Sequence, residues 1–135
     1  MSPEDRQWER VTGIGGIFFR ARDPAKLARW YSDHLGVDGY SEEDDTTWWQ
    51  AEGPTVFAPF DADTDYFGRR DQGSMINFRV RDLDAMLAQL RAAGAPVDDR
   101  IEVMEGVGRF GWASDPEGNR FELWEPDPAA LVRPG

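Results

Sequence analysis

Glu122 lies in the string Arg120-Phe121-Glu122-Leu123-Trp124, where polar and apolar residues alternate. A carboxylate in that setting can take up a proton, accept a hydrogen bond or ligate a hard cation. Side chains alternate across a strand, so Arg120, Glu122 and Trp124 share one face. Two other strings, Gly16-Ile17-Phe18-Phe19-Arg20 and Met75-Ile76-Asn77-Phe78-Arg79, carry a similar mixture. Their matching faces hold Gly16, Phe18 and Arg20, and Met75, Asn77 and Arg79. Arg20 and Arg79 would hold an anionic or carbonyl group through charge-assisted bonds. Glu122 would accept from a donor or cation, and Trp124 would stack on a ring. Phe57, Trp48, Trp49, Phe110 and Trp112 lie on strand-like stretches that could extend this wall. Parity places Phe110 and Trp112 on one face but leaves open which one.

Three arginines and a glutamate do not belong in a core without partners. Their face is therefore solvated, an interface or the lining of a polar cavity, and small-molecule cavities combine apolar walls with a few placed polar groups. The residues that would line such a ligand pocket are Phe18, Arg20, Phe57, Met75, Asn77, Arg79, Trp112 and Trp124, with Glu122 as the candidate catalytic group; the residues alone leave the three alternatives open. Other chemistry is sparse. The one histidine, His34, reads as a helix-end residue favoured by the helix dipole. Cysteine is absent, which removes thiolate chemistry and disulfides and fits a cytoplasmic protein. The run Glu42-Glu43-Asp44-Asp45 lacks the spacing and central glycine of a calcium loop. Gly13-Ile14-Gly15-Gly16 lacks the strand–turn–helix context of a dinucleotide fingerprint.

The elements that would position these residues come in two copies. Ile17-Phe18-Phe19-Arg20-Ala21-Arg22-Asp23 matches Ile76-Asn77-Phe78-Arg79-Val80-Arg81-Asp82 at five of seven positions, 59 residues apart. Each string alternates like a strand and ends in an aspartate suited to cap a helix. After Asp23, Pro24 suits the first helical position, Leu27, Trp30, Tyr31 and Leu35 share a face, and Gly36 is a stop. After Asp82, Leu83, Met86, Leu87 and Leu90 form the same stripe, closed by Gly94 and Pro96. Strands are predicted over 37–42, 46–52 and 55–60 in the first half, and over 97–104, 109–114 and 120–125 in the second. Asp115-Pro116-Glu117-Gly118-Asn119 reads as the last hairpin turn. The expected layout is a tail over 1–10, a βαβββ module over 11–60, a polar linker over 61–73, a second βαβββ module over 74–126, and a tail over 127–135. That is one α+β domain.

With 135 residues and 40% hydrophobic content, the chain can build one modest core. Its net charge of −11 disfavours nucleic acid and anionic membranes as partners. No apolar run reaches the length of a membrane span.

The order of elements, together with Tyr31-Ser32-Asp33-His34-Leu35-Gly36 and above all Asp115-Pro116-Glu117-Gly118-Asn119-Arg120-Phe121-Glu122-Leu123-Trp124, resembles the vicinal oxygen chelate superfamily of glyoxalases, bleomycin-resistance proteins and dioxygenases. The resemblance implies a curved mixed sheet around a cavity, helices outside, and a homodimer. It also implies a divalent metal held from four strands in the catalytic members. The four corresponding positions here are Gly16, Phe57, Met75 and Glu122, of which only Glu122 can ligate a hard cation. The expectation is thus a metal-free protein binding a small aromatic or amphipathic molecule, an antibiotic or a metabolite. The alternatives are a metal-dependent lyase or dioxygenase, and a metal-free acid/base enzyme using Glu122.

Overall fold

The computed structural model describes residues 9–39 and 46–134. The helices fall where their caps place them. Helix α1 spans Pro24–Leu35; the Asp23 carboxylate accepts the Lys26 N–H at 3.2 Å, and Gly36 ends the helix at a φ of 69°. Such a left-handed stop favours glycine. Helix α2 spans Leu83–Ala92, with Asp82 accepting the Ala85 N–H at 3.0 Å.

Strands β1 (Ile76–Arg79), β2 (Glu102–Met104), β3 (Gly108–Ser114) and β4 (Arg120–Pro126) form one sheet in the order β1-β4-β3-β2. β1 runs parallel to β4, and the other pairs are antiparallel. A parallel neighbour requires a crossover, and α2 lies within it. The apolar face of the sheet packs under α2: Leu83, Leu87 and Leu90 meet Ala113, Phe121 and Leu123, with Trp30, Leu35, Phe78, Val80 and Met86 around them. Each fully buried leucine there contributes about 2 kcal/mol. A Cβ on Gly111 would come within 3.2 Å of the Leu87 methyls, so glycine lets helix and sheet approach closely.

The β3–β4 turn is organised by Asp115, which is buried. Its carboxylate accepts the N–H groups of Glu117 and Asn119 and the Asn119 amide, at 2.8–3.0 Å. Glu117 in turn accepts the backbone N–H groups of Arg22 and Asp23, which hold its carboxyl below the usual range. The turn thereby receives the start of α1.

The mixed α+β architecture and curved sheet match the expectation, and the second half matches it strand by strand. The predicted strand over 97–104 shortens to β2 plus one bridge between Val97 and Ala113. The first half differs. Residues 17–23, 46–52 and 55–60 form no strand among the described residues, and 40–42 of the predicted strand over 37–42, like the acidic run Glu42–Asp45, lie outside them. The physical reason is a missing neighbour: alternation specifies the two faces of a strand, but a strand exists only when another strand satisfies its backbone. Beyond β4, the expected tail starts with an anchored turn. Asp127 N–H donates to the Val107 carbonyl at 2.9 Å, and a 3-10 helix covers Pro128–Leu131.

Candidate functional site

The register of the sheet decides which side chains converge. Asn77 and Trp112 both stand opposite Glu122, and Phe110 stands opposite Trp124. Directly opposed residues project from the same face, so Phe110 and Trp112 lie on the Glu122 side, away from the helices. Asn77 Nδ2 donates to Glu122 Oε1 at 2.6 Å, and Trp112 Nε1 donates to Oε2 at 2.9 Å. The Tyr66 hydroxyl also donates to Oε2. The Trp112 Nε1–H lies 3.1 Å from the Tyr66 oxygen as well, so it is shared between the two. One carboxylate thus gathers three donors from β1, β3 and the linker.

Trp112 is fully buried, with the guanidinium of Arg100 at 4.5 Å and that of Arg120 at 5.7 Å from its ring. Phe110 and Trp124 stack nearly parallel, 3° apart in plane. Tyr66 stacks on Phe60 at 5.6 Å and meets Trp112 edge-on at 6.2 Å. Burial, then the hydrogen bond to Glu122 and its charge, push the Tyr66 phenol up to about 12, while the indole N–H of Trp112 opposes the shift. The phenol therefore keeps its proton, committed to Glu122.

The linker over 61–73 is fastened to the sheet. Gln72 Oε1 accepts the Arg120 N–H at 2.9 Å, and its Nε2 donates to the Arg120 carbonyl at 2.8 Å. Arg120 Nε donates to the Tyr66 carbonyl, and Arg69 donates to the Glu117 carbonyl. Between linker and sheet lies a cavity of about 710 Å³, walled by Phe60, Tyr66, Met75, Phe110, Glu122 and Trp124. A second groove of about 860 Å³ adjoins it. Asn77, Met75 and Trp124 border both, and Phe57, Arg79 and Trp48 border the second.

Of the expected pocket residues, Phe18 and Arg20 line neither space. Trp112 lies beneath the wall, behind Glu122. Arg79 is occupied by backbone: its guanidinium donates to the carbonyls of Pro54 at 2.9 Å and Ala51 at 2.8 Å, which ties the 51–54 loop to β1. A Cβ on Gly53 would come within 2.0 Å of that guanidinium, so glycine makes room for it. Tyr66 was not among the expected residues. Its signal was a pair of aromatic residues, Tyr66 and Phe67, in the otherwise polar stretch 61–73, with Phe60 just before it.

The residues do not fit a hard divalent cation. Gly16, Phe57 and Met75 contribute no oxygen or nitrogen side-chain ligand. The Glu122 oxygens are met instead by three donor groups, from Asn77, Tyr66 and Trp112. Among the described residues, no three His, Cys, Asp or Glu side chains come together as a metal site.

The family model of the glyoxalase-like domain matches residues 16–124. Comparison with curated proteins finds no match. Among solved structures, the antibiotic-binding protein TnmS3 from Streptomyces sp. CB03234 is 26% identical, with a TM-score of 0.57 over 89% of this chain and 100% of that one. The genomically encoded fosfomycin resistance protein FosX from Listeria monocytogenes shares the fold at 15% identity and a TM-score of 0.58, over 91% of this chain and 98% of that one. A glyoxylase/bleomycin resistance protein/dioxygenase domain from Frankia sp. EAN1pec does so at 14% identity and 0.55, over 87% and 100%.

Proposed function

The chain belongs to the glyoxalase-like domain family, and from that premise we propose that it binds a small aromatic or amphipathic molecule, an antibiotic or a metabolite, without a metal, in the cavity over Glu122. One observation carries this reading: a carboxylate held by Asn77, Tyr66 and Trp112, with acceptor capacity to spare, stands in a wall of aromatic rings. The rings of Phe110 and Trp124 offer a stacking surface. The Tyr66 proton is committed, so the polar spot offers the ligand lone pairs rather than protons and favours a donor or cationic group. The likeness to an antibiotic-binding protein at 26% identity supports the same reading. As parts of this proposal, the protein acts as a cytoplasmic homodimer and leaves nucleic acid alone, in keeping with its net charge of −11.

The test is a titration with a panel of aromatic antibiotics and metabolites, followed by tryptophan emission and melting temperature. Saturable binding, weakened about tenfold or more in Glu122→Gln, is expected. Silence across the panel, or an absolute requirement for Ni²⁺, Zn²⁺, Mn²⁺ or Fe²⁺, would sink the proposal.

A second reading rests on the Tyr66 hydroxyl lying against Glu122. A carboxylate and a phenol at a cavity wall form an acid/base pair, with Glu122 as the base. Turnover of a bound ligand by the wild type, lost in Glu122→Gln while binding persists, would establish it.

A further inference from the structure

Glu122 is almost wholly buried, 9% exposed, and every group that donates to its carboxylate is neutral: the Asn77 amide, the Tyr66 phenol and the Trp112 indole. Among the described residues, no arginine, lysine or histidine forms an ion pair with it. Buried charges in proteins are ordinarily paired, because leaving water is costly for an ion without a partner. The two arginines that line the same cavity are turned to other acceptors. Arg69 donates to Asp71 at 3.0 Å and to the Glu117 carbonyl at 2.9 Å, and Arg70 to the Asp63 carbonyl at 3.1 Å. The site holds a negative charge that the chain itself does not balance.

The acceptor capacity of the site is unevenly used. Oε2 of Glu122 accepts from both Tyr66 and Trp112, whereas Oε1 accepts from Asn77 alone. A carboxylate oxygen offers about two lone-pair directions, so Oε1 keeps one to spare. Asn77 adds a second acceptor. A carboxylate only accepts, so the amide turns its nitrogen to Oε1, and its own oxygen points elsewhere. Among the described residues nothing donates to that Oδ1. Asn77 is exposed and borders both the cavity and the adjoining groove. Two neighbouring side chains of the cavity wall thus each carry an unshared acceptor.

We infer that the ligand of this cavity is an aromatic primary amine in its ammonium form, its N–H groups shared between Glu122 Oε1 and Asn77 Oδ1 and its ring held between the aromatic walls. This rests on the binding reading above and narrows it to one chemical class. An ammonium brings the charge that Glu122 lacks. It carries three donors, enough for both acceptors. Its charge-assisted bonds are about twice as strong as neutral ones. The ring finds walls on two sides: Phe60 stacked on Tyr66 from the linker, and Phe110 stacked on Trp124 from the sheet. Aromatic faces also attract a cation. A carboxylic acid would set its charge against that of Glu122, and a neutral alcohol would leave the charge unbalanced. The net charge of −11 acts in the same direction at longer range.

Four probes built on one ring test it: naphthylmethylamine, naphthylmethanol, naphthoic acid and naphthylmethyl-trimethylammonium, each titrated calorimetrically into the unaltered protein. The amine is expected to bind about tenfold or more tighter than the alcohol, with the acid weakest. The trimethylammonium probe, charged but without N–H groups, should lose most of that advantage. In Glu122→Gln the preference for amine over alcohol should shrink to about twofold or less, and Asn77→Ala should weaken the amine about threefold or more. An alcohol or acid that binds as tightly as the amine overturns the inference while leaving the binding reading intact. Equal affinity for amine and trimethylammonium also overturns it, because the second probe has charge and no donors. Silence from all four probes and from the wider panel sinks the binding reading and the inference together. The ranking of probes is read on the unaltered protein, so it stands whether or not either variant folds.

Discussion

The hydroxyl of Tyr31, in α1, donates to Oδ2 of Asp115 at 2.7 Å, across 84 residues of sequence. Both groups are buried, and burial together with the carboxylate drives the Tyr31 phenol far above its ordinary value. Asp115 already organises the β3–β4 turn, so this one bond ties α1 to the hairpin that carries Glu122.

Replacing Tyr31 by phenylalanine keeps the ring contacts to Trp30, Phe78 and Phe121 but removes the donor. The expected cost is about 1.5–3 kcal/mol, as for a hydrogen bond to a charged group left partly unsatisfied. Urea unfolding of the variant beside the wild type measures it. A change below about 0.5 kcal/mol would show that water replaces the phenol at Asp115.

The Tyr66 phenol gives a pH prediction. Its folded value, up at about 12, exceeds the ordinary 10.0. The protonated phenol is thus favoured by folding, and its contribution is fully present below 10.0. It is lost as pH rises from 10.0 through about 12. Ultraviolet absorbance of the phenolate should show a late-ionising tyrosine. In Glu122→Gln that transition should move down but stay above 10.0, because burial, the largest cause, persists. An unmoved transition would separate Tyr66 from Glu122.

Gly108 opens β3 at a φ of 139°, and a Cβ there would lie 2.2 Å from the Glu125 carbonyl oxygen and 2.8 Å from the Trp124 indole nitrogen. Gly108→Ala should therefore destabilise by more than about 1 kcal/mol. It should also displace Trp124 from the Val107 carbonyl, to which its indole N–H donates at 3.0 Å. Thermal melts and the near-ultraviolet dichroism of tryptophan check both effects.

The parts of the fold readable from sequence were those set by local chemistry. Asp23 and Asp82 cap helices because a carboxylate meets free N–H groups nearby, and Gly36 stops α1 because only glycine takes that φ without strain. Alternation assigned Phe121 and Leu123 to the helix side and Glu122 and Trp124 to the other. What alternation lacked was register. Phe110 and Trp112 could be assigned a face only once β3 was laid against β4, since a strand's own sequence does not say which neighbour residue it opposes. Tyr66 escaped for a related reason: it reaches Glu122 from 56 residues away, through a linker with no periodicity to read. Arg79 was expected to hold a ligand's anionic or carbonyl group; in the structure it donates to the Ala51 and Pro54 carbonyls, and backbone carbonyls carry no sequence signal.

The turn at Asp115–Asn119 has one more consequence, in the order of assembly. Helix α1 leaves the ribosome long before the turn that receives it, and until Asp115 and Glu117 are synthesised, Tyr31 and the N–H groups of Arg22 and Asp23 have no acceptors there. Docking of α1 closes a loop of more than eighty residues, a slow entropic step compared with local hairpin formation. The C-terminal hairpin is therefore the seed on which the N-terminal helix settles, and substitutions at the Tyr31–Asp115 contact should speed unfolding more than they slow folding.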